Sequence, residues 1–351
     1  MTKKRWVPWL LMVLTTLLLA VGAAACGGDD DGGGGGDKVK VGLVTDTGGV
    51  DDRGFNEFSI NGLEKAEKEL DIQKRVYVSE SADDYEPNLT AAADDGNELI
   101  IAVGFLLAPA TIKMATANPD ISFAGIDHFY GKKGDGCEKA GTCAVPNALG
   151  MQYPSEESGY LAGVVAALMT KTGTVSTVGG IKIPPVDNWI GGFQQAVKDT
   201  KPSVKYLNAY SDNFDDLAKC KEIALDQIGQ GSDVVFQVAG KCGLGAISAA
   251  CEKKVYAIGV DVDQSSQGKC VITSALKPLE SSVFDVIKAF KDGQFKGGTN
   301  AFYGVQDLPD AKLLTDFTSV VPQNVKDAVA TAEKKVKDGT IDPPSKPEDV
   351  K

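Results

Sequence analysis

Short apolar runs alternate with amphipathic segments along most of the chain. Residues 38–45 are β-branched and largely apolar, which predicts a buried strand. A helix should follow, because apolar residues recur at helical spacing at Phe55, Phe58, Leu63, Ala66 and Leu70. Further strands are predicted at 75–79, 98–103, 121–126, 174–178, 204–209, 233–238, 255–260, 271–274, 301–305 and 312–317. Further helices are predicted at 84–94, 109–117, 156–169, 186–197, 216–228, 281–291 and 324–337. This alternation is typical of an α/β protein with parallel sheets.

The strand–helix pattern restarts after a polar loop at 131–142, so we predict two Rossmann-like lobes. Residues 147–151 are interpreted as the crossover into the second lobe. The chain is expected to cross back near 276 and again near 306–312, and three such connections make a hinged clamp. The predicted lobes are 38–148 with 277–308 and 149–276 with 309–342, followed by a polar tail at 343–351.

Acidic and aromatic residues collect at the carboxyl ends of the predicted strands, where ligands bind in parallel α/β sheets. Asp46 follows the first strand, whereas Asp127 and Asp261 follow two later ones. Phe55 and Asn56 begin the first helix, after a turn whose two glycines let a ligand approach the main chain. Helix capping is the alternative role for such acidic residues.

The amino terminus predicts export. A basic start, an apolar run and small residues up to position 25 form a secretory signal over 1–25. Cys26 then stands as in a bacterial lipobox, whose cysteine is acylated, although Ala23 replaces the usual leucine. An ordinary signal peptide or an uncleaved anchor is the alternative. Residues 26–37 are nearly all Gly and Asp and predict a flexible linker. We therefore expect a protein anchored by Cys26 to the outer face of the cytoplasmic membrane.

Composition narrows the possible functions. A length of 351 residues suffices for two domains. The formal net charge of −12 argues against a nucleic-acid partner and against electrostatic docking on anionic lipid. His128 is the one histidine, which leaves little room for histidine metal sites or a Ser-His-Asp triad. We therefore predict no metal or cofactor and interpret His128 as a loop residue.

Six cysteines follow Cys26, and an even number in an exported chain suggests disulfides. Many pairings are possible, so the choice depends on the predicted fold. Cys137–Cys143 would close one short loop, Cys220–Cys242 would lie on the crevice side of its lobe, and Cys251–Cys270 on the opposite side. Metal binding is less favoured, because no pair has CxxC spacing.

Ordered motifs extend over nearly all of 38–340. They lie at 46–56, 118–127, 157–163, 191–193, 214–216, 238–240, 259–264 and 273–277. Together they resemble the basic membrane protein family of solute-binding lipoproteins, which share the type I periplasmic-binding fold. The sequence departs from the family pattern at Gly54, where serine is usual, at Lys241-Cys242, where small residues are common, and at Trp189, where a smaller aromatic is usual.

The resemblance implies a ligand and a set of contacts. The best understood branch of the family is similar to a purine-nucleoside receptor that feeds an ABC importer. By this resemblance Phe55 and Phe214 would stack on the base, Asp46, Asn56 and Asp127 would bond its polar edges, and Asp261 and Lys277 would hold the ribose hydroxyls. The complete implied ligand set is Asp46, Phe55, Asn56, Asp127, Trp189, Phe214, Gly240, Asp261 and Lys277.

The expected function is therefore that of a monomeric binding protein, not an enzyme, which delivers a nucleoside to permease and ATPase subunits. A nucleoside hydrolase using paired carboxylates such as Asp46 and Asp261 is one alternative. A lone ligand sensor, an importer protein for a sugar-like solute, and a transcription regulator of related fold are others. The regulator would need a basic helix-turn-helix, whereas this chain begins with a predicted signal sequence.

Overall fold

The computed structural model describes residues 38–131 and 145–351, and Lys38–Lys351 belong to one compact unit. The predicted signal sequence, Cys26, the linker and the predicted Cys137–Cys143 pair lie outside the described residues. Strands β1–β11 are Lys40–Val44, Gln73–Tyr77, Leu99–Val103, Ser122–Ile126, Ala148–Gln152, Thr174–Gly179, Lys205–Tyr210, Val234–Val238, Tyr256–Asp261, Val271–Leu276 and Thr299–Phe302. Helices α1–α9 are Phe55–Leu70, Tyr85–Asp94, Ala108–Ala117, Ser155–Met169, Pro184–Thr200, Leu217–Gly229, Gly243–Lys253, Leu279–Lys291 and Gln323–Lys337.

The strands form two parallel sheets, one in each lobe. The first sheet has the order β11-β5-β4-β3-β1-β2 and the second has the order β10-β9-β8-β6-β7. The position of strand β3 inside the first sheet explains why its sequence is uniformly apolar. Leu99 and Ile101 pack into the core on the side of α1 and α8, whereas Ile100 packs on the side of α2 and α3. Both faces of the sheet are thus covered by helices, as parallel sheets require, and the predicted two-lobe α/β architecture is confirmed.

The chain crosses between the lobes after β5, after β10 and after β11. Tyr153 and Tyr303, on two of these connections, stack with ring centroids 5.3 Å apart. The predicted boundary at residue 149 is wrong, because it falls inside β5, whose Leu149 pairs with Ala124 of β4 in the first sheet. Residues 147–151 therefore contain a strand of the first lobe, and the crossing follows that strand.

Two predictions for the carboxyl-terminal part also need correction. Residues 312–317 do not add a full strand, since they meet β10 through a single antiparallel bridge between Ala275 and Leu314. The tail at 343–351 is more than a coil, because it packs on α5, with Lys182 Nζ 2.6 Å from a Glu348 carboxylate oxygen. Residues of the second lobe decide both differences, because β10 pairs with 312–317 at one point only and α5 provides the surface on which the tail packs.

Two disulfides link the second lobe, and they are the pairs that the sequence predicts there. Cys220 and Cys242, with Cα atoms 5.5 Å apart, join the amino-terminal ends of α6 and α7 on the crevice side. Cys251 and Cys270, 5.0 Å apart, join the end of α7 to the start of β10 on the opposite side. None of the helices in the described ranges combines the length and apolar character needed to span a bilayer.

Helices α4 and α5 pack closely because glycines lie at their contact. A Cβ added to Gly163 of α4 would overlap the carbonyl oxygen of Phe193, a main-chain atom of α5 that has little freedom to move. We expect Gly163→Ala to lower the free energy of unfolding by roughly 1–3 kcal/mol, as overpacking typically does. Urea unfolding measures the change. Gly229→Ala is the matched control, since a Cβ there meets nothing within 4 Å and should leave stability unchanged or raised.

Candidate ligand-binding site

A cavity lies between the two lobes, at the carboxyl ends of both sheets. The structure brings all nine predicted ligand residues to this cavity: Asp46, Phe55, Asn56, Asp127, Trp189, Phe214, Gly240, Asp261 and Lys277. Phe105, Ile183 and Val186 add apolar wall that the sequence did not single out. Nothing in the local sequence marks these three residues as cavity lining, because each lies in a segment with the apolar pattern of ordinary core residues.

The loop between β1 and α1 is held by side chains that replace helical hydrogen bonds. Asp52, which is buried, accepts hydrogen bonds from the main-chain N–H groups of Gly54, Asn56 and Glu57 at 2.8–3.1 Å. Asp52 therefore caps α1, as expected for an acidic residue before a helix. Although the carboxylate lines the cavity, its main-chain partners already occupy both oxygens.

Asn56 fixes the position of Asp46. Its side-chain oxygen accepts a hydrogen bond from the main-chain N–H of Asp46 at 3.0 Å. Its side-chain nitrogen donates to the carbonyl oxygen of Thr47 at 3.0 Å. The expected bond from Asn56 to a base is therefore not the main use of this amide, which instead ties the end of β1 to the start of α1.

Asp46 presents one carboxylate oxygen to the cavity. Its Oδ1 accepts from the Thr47 N–H at 2.7 Å and from the Tyr85 hydroxyl of α2. A Cβ on Gly104, where φ is +103°, would overlap Asp46 Oδ2, so glycine leaves that oxygen accessible. Burial raises the pKa of Asp46 to about 6, although the hydrogen bond from Tyr85 lowers it. No feature of the sequence marks Tyr85 as a partner of Asp46, because it resembles a core residue of an amphipathic helix.

Asp127 and Lys277 form a buried ion pair. The Lys277 Nζ lies 2.8 and 2.7 Å from the two carboxylate oxygens of Asp127. The same Nζ lies 4.9 Å from the ring centroid of Phe55 and 4.8 Å from that of Tyr153. The side chains are only 2% and 7% exposed, so each charge depends on the other for compensation. If Asp127 and Lys277 contact the ligand as predicted, they must do so with atoms that also form this ion pair.

Asp261 differs from the other three aspartates that line the cavity, because its carboxylate accepts no hydrogen bond from the described residues. Within residues 38–131 and 145–351, no group donates to its side chain, which is buried and faces the cavity. Burial raises the pKa of Asp261 to about 7, and the nearby Asp127 carboxylate adds to this, whereas Lys277 lowers it. A ligand hydroxyl or N–H group would supply the missing donor.

Aromatic side chains from opposite lobes face the cavity. Phe55 comes from the first turn of α1, and Phe214 comes from the loop between β7 and α6. Gly180 makes room for Phe214, since a Cβ there would overlap the ring, and Gly240, at φ +55°, lies against the main chain of Phe214. Trp189 lines the cavity but is anchored in the core, edge-on to Phe236 with ring centroids 6.2 Å apart. Phe55 and Phe214 thus line the cavity from opposite lobes, and the Phe55 ring is also approached by Lys277 Nζ.

His128 is not part of the cavity lining. It is fully buried, with Nε2 2.8 Å from the Gly104 carbonyl oxygen and Nδ1 2.9 Å from the Tyr130 hydroxyl. Burial lowers its pKa to about 4, so the imidazole is neutral at physiological pH. The loop after β4 therefore uses this histidine to support the main chain at Gly104.

The two lobes and the cleft between them define the class of fold, which is the type I periplasmic-binding fold. A solute-binding protein of an ABC transporter system from Aeropyrum pernix K1 superposes with a TM-score of 0.76 at 23% identity, over 87% of this chain and 92% of that one. An ABC transporter periplasmic solute-binding protein from Actinobacillus succinogenes 130z, solved with bound D-allose, gives 0.58 at 18% identity, over 75% and 95%.

Sequence comparison identifies the family. Residues 38–344 match the Bmp family, described as ABC transporter substrate-binding protein PnrA-like. The chain belongs to this family, so the resemblance noted from the motifs is confirmed. It is 34% identical to the ABC transporter nucleoside-binding protein BmpA of Lactococcus lactis subsp. cremoris, over 88% of this chain and 90% of that protein. It is 32% identical to basic membrane protein A1 of Borrelia garinii subsp. bavariensis, over 76% and 77%.

Proposed function

We propose that the protein binds a nucleoside, with a purine base, in the cavity between its lobes and delivers it to an ABC permease. The observation that carries this proposal is the combination of aromatic side chains from opposite lobes, Phe55 and Phe214, with the buried carboxylate of Asp261, to which no group of the described residues donates a hydrogen bond. A flat base would stack between the rings, and ribose hydroxyls would donate to Asp261. The nucleoside-binding relative from Lactococcus lactis supports the same ligand class.

The expected interaction energies are sufficient for micromolar binding of a nucleoside. Stacking on an aromatic side chain is worth ~1–3 kcal/mol per face. Hydrogen bonds to a charged group contribute roughly 1.5–3 kcal/mol each. Two stacks and a few such bonds reach the binding free energy of about −8 kcal/mol that corresponds to micromolar affinity.

The charges favour a neutral ligand over a phosphorylated one. Four carboxylates line the cavity, those of Asp46, Asp52, Asp127 and Asp261, against two lysines. One of these lysines, Lys277, is already paired with Asp127. A phosphate would therefore meet mostly like charges, and like charges at close range are repulsive. Nucleosides are expected to bind more tightly than the corresponding nucleotides.

We further propose that the mature protein is a monomer anchored through acylated Cys26 to the outer face of the cytoplasmic membrane. The amino-terminal signal pattern and the Gly/Asp linker support this arrangement. Permease and ATPase subunits of an importer would then be its partners, as expected for an ABC transporter substrate-binding protein.

Calorimetry on residues 38–351 tests the ligand assignment. The panel is adenosine, guanosine, inosine, cytidine, uridine, ribose and several amino acids, with the corresponding nucleoside monophosphates. Micromolar or tighter binding of purine nucleosides, weakened by Phe55→Ala and by Phe214→Ala, is the expected result. Binding of a sugar with no response to any nucleoside would refute the nucleoside assignment. Release of free base during the titration would instead support the hydrolase alternative.

Titration of the cavity carboxylates predicts a pH dependence of stability. The pKa is raised by burial to about 6 in Asp46 and about 7 in Asp261, against ~3.9 for an unfolded aspartate. Between about pH 4 and 7 these two carboxyls therefore bind more protons in the folded protein than in the unfolded chain, so their contribution to the free energy of unfolding falls as pH rises, whereas the lowered pKa of His128 acts in the opposite direction. Each group contributes a slope of at most about 1.4 kcal/mol per pH unit.

Urea unfolding of the ligand-free protein between pH 4.5 and 7.5 measures this slope. Asp261→Asn should make it shallower, whereas Asp263→Asn, two residues away and exposed, should not. Equal slopes for the wild type and Asp261→Asn would show that burial does not hold a proton on this carboxyl.

A further inference from the structure

We propose that Gln264 is a positioning residue for ligand retention. Its side chain is oriented by groups of the second lobe. It donates a hydrogen bond to the carbonyl oxygen of Arg53, in the loop between β1 and α1 of the first lobe, and so holds this loop. This bond crosses the mouth of the cleft, so it forms when the lobes close and breaks when they open. This role of Gln264 depends on the proposed function only for the identity of the ligand.

The side chain of Gln264 is fixed by its own lobe. It is 2% exposed, and its main-chain N–H donates to Ser274 Oγ at 3.0 Å. Its Oε1 accepts from the main-chain N–H of Val260 at 3.1 Å and from Gln237 Nε2 at 2.6 Å. Gln237 is itself oriented, since its Oε1 accepts from the main-chain N–H of Ala239 at 3.1 Å.

These partners determine which end of the amide faces the first lobe. The main-chain N–H of Val260 requires an oxygen, which leaves Nε2 of Gln264 as the group directed at the cleft. That nitrogen lies 3.2 Å from the carbonyl oxygen of Arg53, in the loop between β1 and α1. All of the donors and acceptors that orient Gln264 belong to the second lobe, so the orientation does not depend on closure.

The acceptor belongs to the segment that carries the binding residues. Arg53 has a φ of +56°, and the N–H of Gly54, which shares a peptide group with the Arg53 carbonyl, donates to an Asp52 carboxylate oxygen at 3.0 Å, so the carbonyl is held in place. Asp52, immediately before it, caps α1, and Phe55, two residues after it, is one of the two stacking rings. A bond at Arg53 therefore restrains the loop that positions Phe55 over the ligand.

A second contact across the cleft mouth is much weaker. Lys241 Nζ and an Asp51 carboxylate oxygen lie 3.8 Å apart, and both side chains are substantially exposed, 34% and 77%. Exposed ion pairs of this kind contribute little and are screened by salt. The buried amide of Gln264 is thus the contact expected to control how long the cleft stays closed.

The test replaces the donor while keeping the shape of the side chain. Gln264→Glu keeps an acceptor for Val260 and Gln237 and places an oxygen against the Arg53 carbonyl. With inosine as the probe, stopped-flow kinetics should show dissociation at least about tenfold faster and association changed by less than about twofold. Gln267→Glu, with the same charge change on a side chain that bonds only Ser266 among the described residues, and Asp51→Asn should each change dissociation by less than about twofold.

Solution scattering provides a readout that needs no ligand. Ligand-free Gln264→Glu is expected to have a larger radius of gyration than the wild type, because the closed form loses its restraint, whereas Gln267→Glu should match the wild type. Gln264→Met serves if the glutamate variant fails to fold. Unchanged dissociation or an unchanged radius in a folded Gln264 variant overturns the proposal. If the wild type does not bind inosine, the nucleoside assignment is at fault, and scattering still decides the role of Gln264.

Discussion

Replacing Asp261 by alanine is expected to weaken binding of a purine nucleoside by at least about 100-fold. The carboxylate is buried at the carboxyl end of β9 and, among residues 38–131 and 145–351, no group donates a hydrogen bond to it. Two ribose hydroxyls donating to it would each contribute roughly 1.5–3 kcal/mol, and each 1.4 kcal/mol is a factor of about ten in affinity. Calorimetry on residues 38–351 measures the loss.

The same substitution should not weaken the ligand-free protein. Removing a buried carboxyl that has no partner relieves a desolvation cost, so the free energy of unfolding at pH 7.5 should stay equal or rise. Asp263→Ala is the matched control, because this exposed aspartate follows on the same segment and should bind ligand normally. If Asp261→Ala lost stability and affinity together, a structural role would be indicated in place of a ligand contact.

Replacing Lys277 by methionine is expected to destabilise the protein by roughly 3–5 kcal/mol, the usual cost of leaving one member of a buried ion pair uncompensated. Asp127 would retain its buried position and lose the ammonium group that lies 2.7–2.8 Å from both its oxygens. The variant should also bind nucleosides more weakly, since Lys277 lines the cavity beside Phe55. Urea unfolding at pH 7.5 measures the stability change.

A second substitution distinguishes the effect of the uncompensated Asp127 charge from the effect of losing the lysine side chain itself. Adding Asp127→Asn to Lys277→Met should recover most of the lost stability, because the uncompensated charge is gone, but should not restore binding. Lys269→Met, at an exposed lysine, should have no measurable effect on either property. A double variant as unstable as Lys277→Met would mean that the lysine acts through packing and not through Asp127.

Local pattern predicts the elements of this fold well. The helix expected from Phe55 to Leu70 has these limits in the structure, and the apolar run at 98–103 forms the buried strand β3. The reason is that a strand covered on both faces has a continuous apolar run, whereas a helix covered on one face has apolar residues at a period of 3.6. The error at β5 arose because its short run of small residues, near a polar loop, resembles a linker.

The location of the site also follows from the sequence, whereas the use of each polar group does not. Asp46 and Asp127 follow β1 and β4 of the first sheet, Asp261 ends β9 of the second, and ligands bind at the carboxyl ends of parallel strands. Asn56 was expected to contact the ligand, but both ends of its amide bond the loop main chain. Such a choice depends on the path of the loop, which its residue types do not specify.

By itself, the sequence determined the two-lobe α/β class, the family, and nine of the residues that line the cavity. The tertiary structure alone decided the partners: Lys277 with Asp127, Tyr85 with Asp46, and Gln264 with the carbonyl of Arg53. These groups are far apart in the chain, and two of the pairs depend on how the connections between the lobes return. Hydrogen bonds and buried ion pairs act over about 3 Å, so they are fixed only when packing sets distances on that scale.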